Sequence, residues 1–350
     1  PVNDTVPLVK LWDVLRQSNI NVTLIKALQN IYDGSQSRIK IGKWITEAFP
    51  VTKGLRQGCC LYPTLFKIYI ACALRSWKKK CAGMGIQLNN SFLYTLQFAD
   101  DQAVTANDKD DMEYMVRKLI EEYEKWGLSV NLEKTKYLCI GVNPGNLQLE
   151  DNREISVCQS YKYLGVVFNS SGTDEEEIQG RIVSARKAIK CLNGILWSRK
   201  IEKGRKYRIY DSMIKSILLY GAETWRLTDK NKKKVEATEM DAIRRSLRVS
   251  RLDRVRNEDL RERMGMKGTV VDDIEKRQLT WYGHVRRMPD ERLPKQVWDW
   301  VPKERRKKGR PRKSWMEGVR KAMSARNLTD QQWGNRDEWK LGTGQRRSTF

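Results

Sequence analysis

The sequence contains a single histidine, His284, among its 350 residues. Histidine is the usual general base of hydrolases and a common metal ligand, so a mechanism that needs it has one candidate at most. The seven cysteines include no C-x-x-C pair, and none lies beyond Cys191. The C-terminal part therefore cannot build a zinc knuckle or finger from its own residues, and no zinc is expected. Such an odd, scattered cysteine set is typical of reduced thiols in an intracellular protein.

Long apolar segments are also missing. No uninterrupted run reaches about 18 residues and no signal-peptide pattern is present, so neither a membrane span nor secretion is expected. The hydrophobic fraction of 40% is nevertheless that of a folded protein, and the length favours roughly two or three domains. What the chain has in excess is positive charge, a net +24 at pH 7. This surplus indicates a polyanionic partner, and nucleic acid is a better candidate than a membrane surface.

The apolar spacing predicts an α+β domain followed by helices alone. Helical spacing occurs near residues 8–15, 24–31, 64–77 and 112–126, and strand-like patterns occur near residues 37–41, 92–106, 128–140 and 161–168. This order predicts an antiparallel sheet with helices on one face. From residue 173 onward only helices are predicted, near residues 178–196, 210–218 and 229–248. The tryptophans beyond residue 250 are expected to anchor a small core rather than to stack on bases, and the last dozen residues are expected to be disordered.

An adjacent carboxylate pair, Asp100-Asp101, lies between two apolar runs in the stretch 92–106. The pattern predicts strand, tight turn and strand, with both acids at the hairpin tip. Two neighbouring like charges repel unless a cation lies between them. Mg²⁺ suits this arrangement, since it binds carboxylate oxygens and leaves positions for substrate phosphates. An ordinary Asp-Asp turn or helix cap is the simpler explanation when the pair is considered alone.

Five stretches, taken in order, resemble the reverse transcriptase of non-LTR retrotransposons. They are Asn3-Asp4-Thr5-Val6-Pro7, Gly54 to Phe66, Phe98-Ala99-Asp100-Asp101, Gly127 to Lys136, and Tyr161 to Phe168. A lone Phe-Ala-Asp-Asp is a weak signal, whereas five motifs in this order over about 165 residues are a strong one. The region from Gly221 to Lys313 also resembles the C-terminal part of such elements. The resemblance implies a right-hand polymerase palm in residues 1–170, a helical thumb in 171–250 and a basic nucleic-acid-binding region in 251–350.

The resemblance also implies chemical roles. It implies RNA-directed DNA synthesis from deoxynucleoside triphosphates, on an RNA template with a DNA primer or target, and with two Mg²⁺ ions for which Mn²⁺ could substitute. Asp4, Asp100 and Asp101 would hold the metal ions, and Lys134 would assist the departure of pyrophosphate. The residues that would contact nucleotide or template are Arg56, Gln57, Gly58 and Phe98, and those of the primer grip are Tyr163, Leu164 and Gly165. A solvated surface lysine and a plain loop glycine are the alternatives for Lys134 and Gly58.

The chain departs from the family pattern at several positions. Asn3 stands where an aromatic residue is usual, and Tyr62 stands where a small serine is typical. The first residues already belong to the first motif, so we expect a truncated or decayed copy that lacks the fingers and any endonuclease and has little or no polymerase activity. The alternative from a different class is a non-catalytic, nucleic-acid-binding remnant of a retrotransposon protein. An RNA-dependent RNA polymerase would share the palm chemistry but not this combination of motifs.

A basic run, residues 303–313, contains eight basic residues and one acid. Its Gly309-Arg310-Pro311 core resembles an AT-hook, whose arginines lie in the narrow minor groove of A·T-rich DNA. The expected DNA contacts are Arg306, Lys307, Lys308, Arg310, Arg312 and Lys313. The same run would serve as a nuclear localisation signal, so we expect an intracellular, nuclear protein. A solvated basic linker without specificity is the alternative.

Overall fold

A computed structural model gives the fold and describes residues 6–51, 53–56, 58–89, 91–141, 145–301 and 313–344. The chain divides into two compact units, residues 1–159 and residues 160–350. Each unit has an apolar core of its own. The palm and thumb boundaries expected near residues 170 and 250 stay predictions.

Within its described residues, the first unit contains four α-helices, each at a place where helical spacing predicted one. They are α1 (Leu8–Gln17), α2 (Val22–Tyr32), α3 (Tyr62–Lys80) and α4 (Lys109–Lys125). Side-chain caps begin two of them. The Asn21 side chain accepts from Thr23 N at 2.8 Å before α2, and the Asp108 carboxylate accepts from Asp111 N at 2.8 Å before α4. These bonds satisfy backbone donors that the start of a helix leaves without partners.

The strands of the first unit are short and pair two by two. In the described ranges they form five separate antiparallel pairs: β1 (Gln36–Ser37) with β4 (Phe49–Pro50), β2 (Lys40–Ile41) with β3 (Trp44–Ile45), β5 (Ile86–Leu88) with β6 (Ser91–Leu93), β7 (Thr95–Phe98) with β8 (Asp101–Val104), and β9 (Leu147–Gln148) with β10 (Glu154–Ile155). The coarse prediction of helices mixed with antiparallel strands is confirmed. These described strands do not join into one continuous sheet, and the palm arrangement stays a prediction.

The core of the first unit contains buried residues from all four helices α1–α4, and α3 contributes the largest share. Trp77 of α3 is fully buried, and its Nε1 donates to Met115 O of α4 at 2.8 Å. The predicted apolar stripe of α4 is confirmed, because Met115, Leu119 and Tyr123 all lie in this core. Val104 of β8 packs against the same core. The hairpin β7–β8 is therefore supported by the two longest helices of the unit.

The segment after α4 is not a strand, although its pattern predicted one over residues 128–140. Asn131 Oδ1 accepts from Lys134 N at 3.1 Å, and Thr135 Oγ1 donates to Asn131 O at 2.8 Å. These local bonds fold the segment into a turn, which competes with the ladder of a strand. In this described range, pairing is limited to a single parallel bridge between Tyr137 and Val157.

The second unit begins with a hairpin and continues as helices. The hairpin joins β11 (Ser160–Tyr163) to β12 (Val166–Asn169), as the apolar pattern at 161–168 predicted. The helices are α5 (Glu175–Cys191), α6 (Asn193–Trp197), α7 (Lys203–Ile209), α8 (Ser216–Leu218), α9 (Asp229–Leu247), α10 (Asn257–Met264), α11 (Val270–Arg286), α12 (Leu293–Asp299), α13 (Trp315–Ser324) and α14 (Arg336–Gly344). A π-helical segment, Tyr210–Lys215, joins α7 to α8. The predicted helices are confirmed, except that the first of them breaks at Leu192 between α5 and α6.

An aromatic core holds the C-terminal helices together. Tyr282 of α11 contacts Trp298 of α12 with ring centroids 5.4 Å apart, and Trp298 contacts Trp315 of α13 at 5.6 Å. Trp339 of α14 is 2% exposed, and its Nε1 donates to Leu279 O of α11 at 3.0 Å. These tryptophans therefore anchor a small core, as expected.

The helix α14 reaches Gly344, so the disorder expected for the last dozen residues is wrong for 339–344. Residues 345–350 lie outside the described residues. None of the helices in the described ranges is both long enough and apolar enough to cross a bilayer.

Candidate active site

The Asp100-Asp101 pair lies at the end of the hairpin β7–β8. Phe98 pairs with Asp101 across the strands, so the two-residue turn consists of Ala99 and Asp100, and Asp101 already belongs to β8. Ala99 has φ +53°, a value that favours glycine and costs other residues roughly 1–2 kcal/mol. The pairing beneath the turn has to offset this strain. Both carboxylates are exposed, so a cation can reach them.

One face of this hairpin is fixed to α4 by hydrogen bonds. Gln102 Nε2 donates to Thr95 Oγ1 at 2.9 Å, and the Tyr123 hydroxyl donates to Gln102 Oε1. Burial raises the pKa of Tyr123, so the hydroxyl stays protonated and keeps its role as donor. Since side chains alternate along a strand, Asp101 lies on the opposite face, beside Phe98, which is 65% exposed. The hairpin is therefore anchored on one face and presents its acidic end to solvent.

The third expected carboxylate, Asp4, lies outside the described residues, so its meeting with the Asp100-Asp101 pair stays a prediction. Val6, two residues further along the chain, is fully buried, and its carbonyl accepts from Gly54 N at 2.9 Å. No group of three His, Cys, Asp or Glu side chains that could hold a metal gathers among the described residues. Asp100 and Asp101 by themselves offer adjacent, exposed oxygen donors, which suit a hard divalent cation.

The loop before α3 carries the residues expected to contact nucleotide or template. Arg56 is exposed but already has protein partners, since its guanidinium donates to Ser35 Oγ and lies 5.7 Å from the centre of the Tyr32 ring. Gly58 is exposed and has φ +80°, a conformation that glycine adopts without strain. Gln57 lies outside the described residues. The Arg56 contacts fix this loop at the end of α2, and the backbone of Gly58 is accessible to a ligand.

Lys134 lies in the turn after α4 and not on a strand. Its backbone N–H is bound by the Asn131 side chain, and its own side chain is exposed. An exposed ammonium group is available to a phosphate, but most surface lysines share this feature. The proposed role in pyrophosphate departure stays a prediction.

The expected primer-grip residues form the tip of the hairpin β11–β12. Tyr163 pairs with Val166, and the turn consists of Leu164 and Gly165, with φ +48° and +83°. Positive φ at both turn residues defines a type I′ turn, whose twist matches that of paired strands. Leucine is unusual in this conformation, so the turn needs support from outside the hairpin.

Side chains from α5 and from the turn after α8 supply this support. The Tyr220 hydroxyl donates to Leu164 O at 2.9 Å, and the Arg181 guanidinium donates to Gly165 O. Arg181 also lies over the Tyr220 ring, 4.6 Å from its centre, and pairs with Glu177. We call Glu177, Arg181 and Tyr220 the turn clamp. Both carbonyl groups of the strained turn are therefore bound by the same cluster.

Glu177 is the buried centre of the turn clamp. Its side chain is 4% exposed, yet both of its oxygens have donors, Arg181 Nε at 2.5 Å and Val167 N at 2.8 Å. These bonds offset the cost of burying a carboxylate. Sequence reasoning missed the turn clamp. The spacing of four residues between Glu177 and Arg181 on one helix could have indicated their ion pair. Nothing in the sequence links Tyr220 to this pair.

Most of the basic run lies outside the described residues, including Arg306, Lys307, Lys308, Arg310 and Arg312. Lys313 is described and directly precedes Ser314, whose Oγ accepts from Glu317 N at 3.1 Å and caps α13. The run is therefore followed by the folded helices α13 and α14. Its expected DNA contacts stay predictions.

The N-terminal part of the chain matches a known family, and a longer part matches a relative. Residues 3–168 match the family model described as reverse transcriptase (RNA-dependent DNA polymerase). An uncharacterized transposon-derived protein of Caenorhabditis elegans is 29% identical over 259 residues, which are 69% of this chain and 89% of that protein. The similarity to this relative is therefore longer than the family match.

Two further relatives come from retrotransposable elements. The retrovirus-related Pol polyprotein from the type-2 element R2DM of Drosophila melanogaster is 23% identical over 180 residues, 48% of this chain and 17% of that protein. The RNA-directed DNA polymerase from the mobile element jockey of Drosophila funebris is 22% identical over 218 residues, 60% of this chain and 23% of that protein. The chain thus spans less than a quarter of the length of these two relatives.

Proposed function

We propose that this chain carries the polymerase core of a non-LTR retrotransposon and copies RNA into DNA, because residues 3–168 match the family model described as reverse transcriptase. The observation that carries the proposal is the exposed Asp100-Asp101 pair, held on a hairpin whose other face is fixed to α4. The relatives named for retrotransposable elements support the same activity.

Asp100 and Asp101, together with Asp4, would hold two Mg²⁺ ions. When bound, these ions stabilise the attacking and leaving oxygens of an in-line displacement at the α-phosphate. The protein contributes position, because the hydrogen-bonded chain from Tyr123 through Gln102 fixes the hairpin before substrate arrives. The two adjacent carboxylates have the oxygen chemistry that Mg²⁺ prefers, and Mn²⁺ accepts similar ligands.

The remaining expected residues would bind substrates. Phe98 lies on the same face of the hairpin as Asp101, where its exposed ring can contact the incoming nucleotide. Gly58 would allow close backbone approach, and Arg56 and Gln57, which directly precede it, would contact the same nucleotide or template. Lys134 would donate a proton to the pyrophosphate oxygen as it leaves.

The hairpin tip of Tyr163, Leu164 and Gly165 would hold the DNA primer, and the turn clamp would keep that tip in place. The basic run would bind DNA and direct the chain to the nucleus. Both roles extend the polymerase proposal and can be tested separately from it.

Primer extension on an RNA template tests the proposal. We expect slow, Mg²⁺-dependent extension by the full chain, lost in Asp100→Asn and in Asp101→Asn. Asp110→Asn is the matched control, because it removes an exposed carboxylate from the first turn of α4 without touching the hairpin. A folded chain that binds template and primer but never extends the primer would contradict the proposal and favour a non-catalytic, nucleic-acid-binding protein. Rapid extension would instead contradict the expectation of a decayed enzyme.

A further inference from the structure

A loop rich in arginine joins α9 to α10. We call residues 248–256 the arginine loop, and its sequence contains Arg248, Arg251, Arg254 and Arg256 with Asp253 as its single acid. All four arginines are exposed, and their side chains make no hydrogen bond or ion pair with another described residue. The loop therefore presents four free guanidinium groups within nine residues.

The arginine loop is held in a defined shape from the inside. Arg244, at the end of α9, donates from Nη1 to Ser250 O at 3.1 Å and from Nη2 to Val255 O at 2.9 Å. Asp253 Oδ2 accepts from Ser250 N at 2.6 Å, so the one acid is used within the loop and not against its arginines. Arg248 and Arg254 both have positive φ, +58° and +51°. The single acid of the loop is therefore bound to its backbone and pairs with none of the loop's arginines.

A groove of about 600 Å³ lies beside the arginine loop. Trp197 lines it and is 49% exposed. Lysine and arginine side chains line it together with two acids, Glu236 and Asp241, and Asp241 pairs with Arg245 at 2.9 Å. Arg245 Nη1 donates to Asn193 Oδ1 at 2.6 Å, which ties α6 and its tryptophan to α9. The groove therefore brings the exposed Arg251 and an accessible aromatic ring together, while Asp241 offsets the charge of Arg245.

A buried lysine adds to the positive charge below the loop. Lys206 is 3% exposed, and its Nζ donates to Ser246 O at 2.9 Å. Burial lowers the pKa of Lys206, and the nearby charge of Arg248 lowers it further. Like charges in this arrangement repel one another, and a bound polyanion would relieve the repulsion.

We propose that the arginine loop and the Trp197 groove form a binding site for single-stranded nucleic acid. The four arginines of the loop would contact consecutive phosphates, and an unstacked base would lie against Trp197. A duplex keeps its bases stacked inside the helix, so it could use the arginines but not the indole. All of these residues belong to the second unit, outside the family match at residues 3–168, and the site does not depend on the polymerase proposal.

Binding of labelled oligonucleotides by fluorescence anisotropy tests the site in the full chain. The probes are single-stranded RNA and single-stranded DNA of about 15 nucleotides, and a DNA duplex of the same length. We expect both single strands to bind more tightly than the duplex. Changing Arg248, Arg251 and Arg254 together to Gln should reduce the slope of log affinity against log salt by about 2, whereas the same three changes to Lys should preserve it. Trp197→Leu should weaken single-strand binding roughly tenfold, with Trp197→Phe restoring much of it.

A matched control removes the same charge elsewhere in the second unit. Arg320→Gln, Lys321→Gln and Lys340→Gln together take three exposed cations from α13 and α14. If this control weakens binding as much as the loop variant, affinity follows total charge and the proposal is overturned. Equal binding of duplex and single strand by the parent, with no effect of Trp197→Leu, overturns it as well.

Photo-crosslinking locates the contact directly, because the basic run also attracts nucleic acid. A single-stranded RNA that carries 4-thiouridine is irradiated with the full chain, and the linked peptides are identified by mass spectrometry. Cross-links to peptides that contain Trp197 or the arginine loop support the proposal. Cross-links confined to other segments overturn it.

Discussion

Replacing Arg181 with methionine tests the turn clamp, since this one guanidinium binds three partners. It donates to Gly165 O, pairs with Glu177 at 2.5 Å and lies over the Tyr220 ring. Methionine keeps an apolar chain of similar length that can still pack on the ring. The change therefore removes charge and hydrogen-bond donors with little loss of packed volume.

The largest expected loss comes from the carboxylate left behind. Glu177 is 4% exposed, and in the variant it keeps the Val167 N–H as a donor but loses its cation. Removing one partner of a buried ion pair costs about 3–5 kcal/mol, and the unsatisfied Gly165 carbonyl adds about 1 kcal/mol. Because the Arg181 side chain is itself 16% exposed, water can reach part of the vacated space. We expect the free energy of unfolding of the second unit to fall by about 3 kcal/mol.

Urea unfolding of the full chain, with the two units fitted as separate transitions, measures this loss. The double variant Glu177→Gln, Arg181→Met removes both charges, so we expect it to be more stable than Arg181→Met alone. Tyr220→Phe removes one neutral hydrogen bond and should cost only about 1 kcal/mol. The reasoning is refuted if Arg181→Met costs less than about 1 kcal/mol, or if the second charge removal destabilises the unit further.

Three other changes test separate features. Ala99→Gly relieves a positive φ, so the free energy of unfolding of the first unit, measured by thermal unfolding, should rise by about 1 kcal/mol. A fall in this free energy would count against strain in that turn. Gly283→Ala sets a methyl group against the Trp339 indole, so the free energy of unfolding measured in urea should fall by about 1–3 kcal/mol. An unchanged urea midpoint would contradict that packing. A hydrogen bond from Lys234 lowers the pKa of the Glu175 carboxyl, so the pair stabilises the fold above the ordinary glutamate pKa and loses this effect as the pH falls through the lowered value. Because Glu175 is 46% exposed, Glu175→Gln should lower the free energy of unfolding by at most about 0.5–1 kcal/mol at neutral pH and not at all in acid. A loss that does not depend on pH would show that the ion pair with Lys234 is not its cause.

The parts of the fold that could be predicted from the sequence have local causes. The hairpin at residues 95–104 was predicted because apolar alternation flanks a short polar turn. The helix α4 was predicted because its stripe at Met115, Leu119 and Tyr123 repeats at helical spacing, and that stripe is its buried face.

The features that the sequence predicted wrongly or not at all have physical causes of a different kind. The strand expected at residues 128–140 was wrong because the Asn131 side chain accepts from the backbone N–H of Lys134, and apolar alternation carries no information about that competition. The turn clamp could not be predicted because Tyr220 meets Arg181 only in the folded unit. The position of Asp100 and Asp101 at the end of a hairpin could be predicted from the sequence, whereas the contacts that occupy Arg56 could not, and the roles of these residues stay predictions.

The aromatic core has a consequence for the integrity of the chain. Trp298 and Trp315 lie on opposite sides of the basic run in sequence, yet their rings are in contact. Two connections therefore join α12 to α13, one through peptide bonds and one through packed indoles. A protease site engineered into residues 302–312 and then cut would yield two fragments on a denaturing gel. We expect these fragments to elute together in native size-exclusion chromatography and to separate only when the tryptophans lose their contacts.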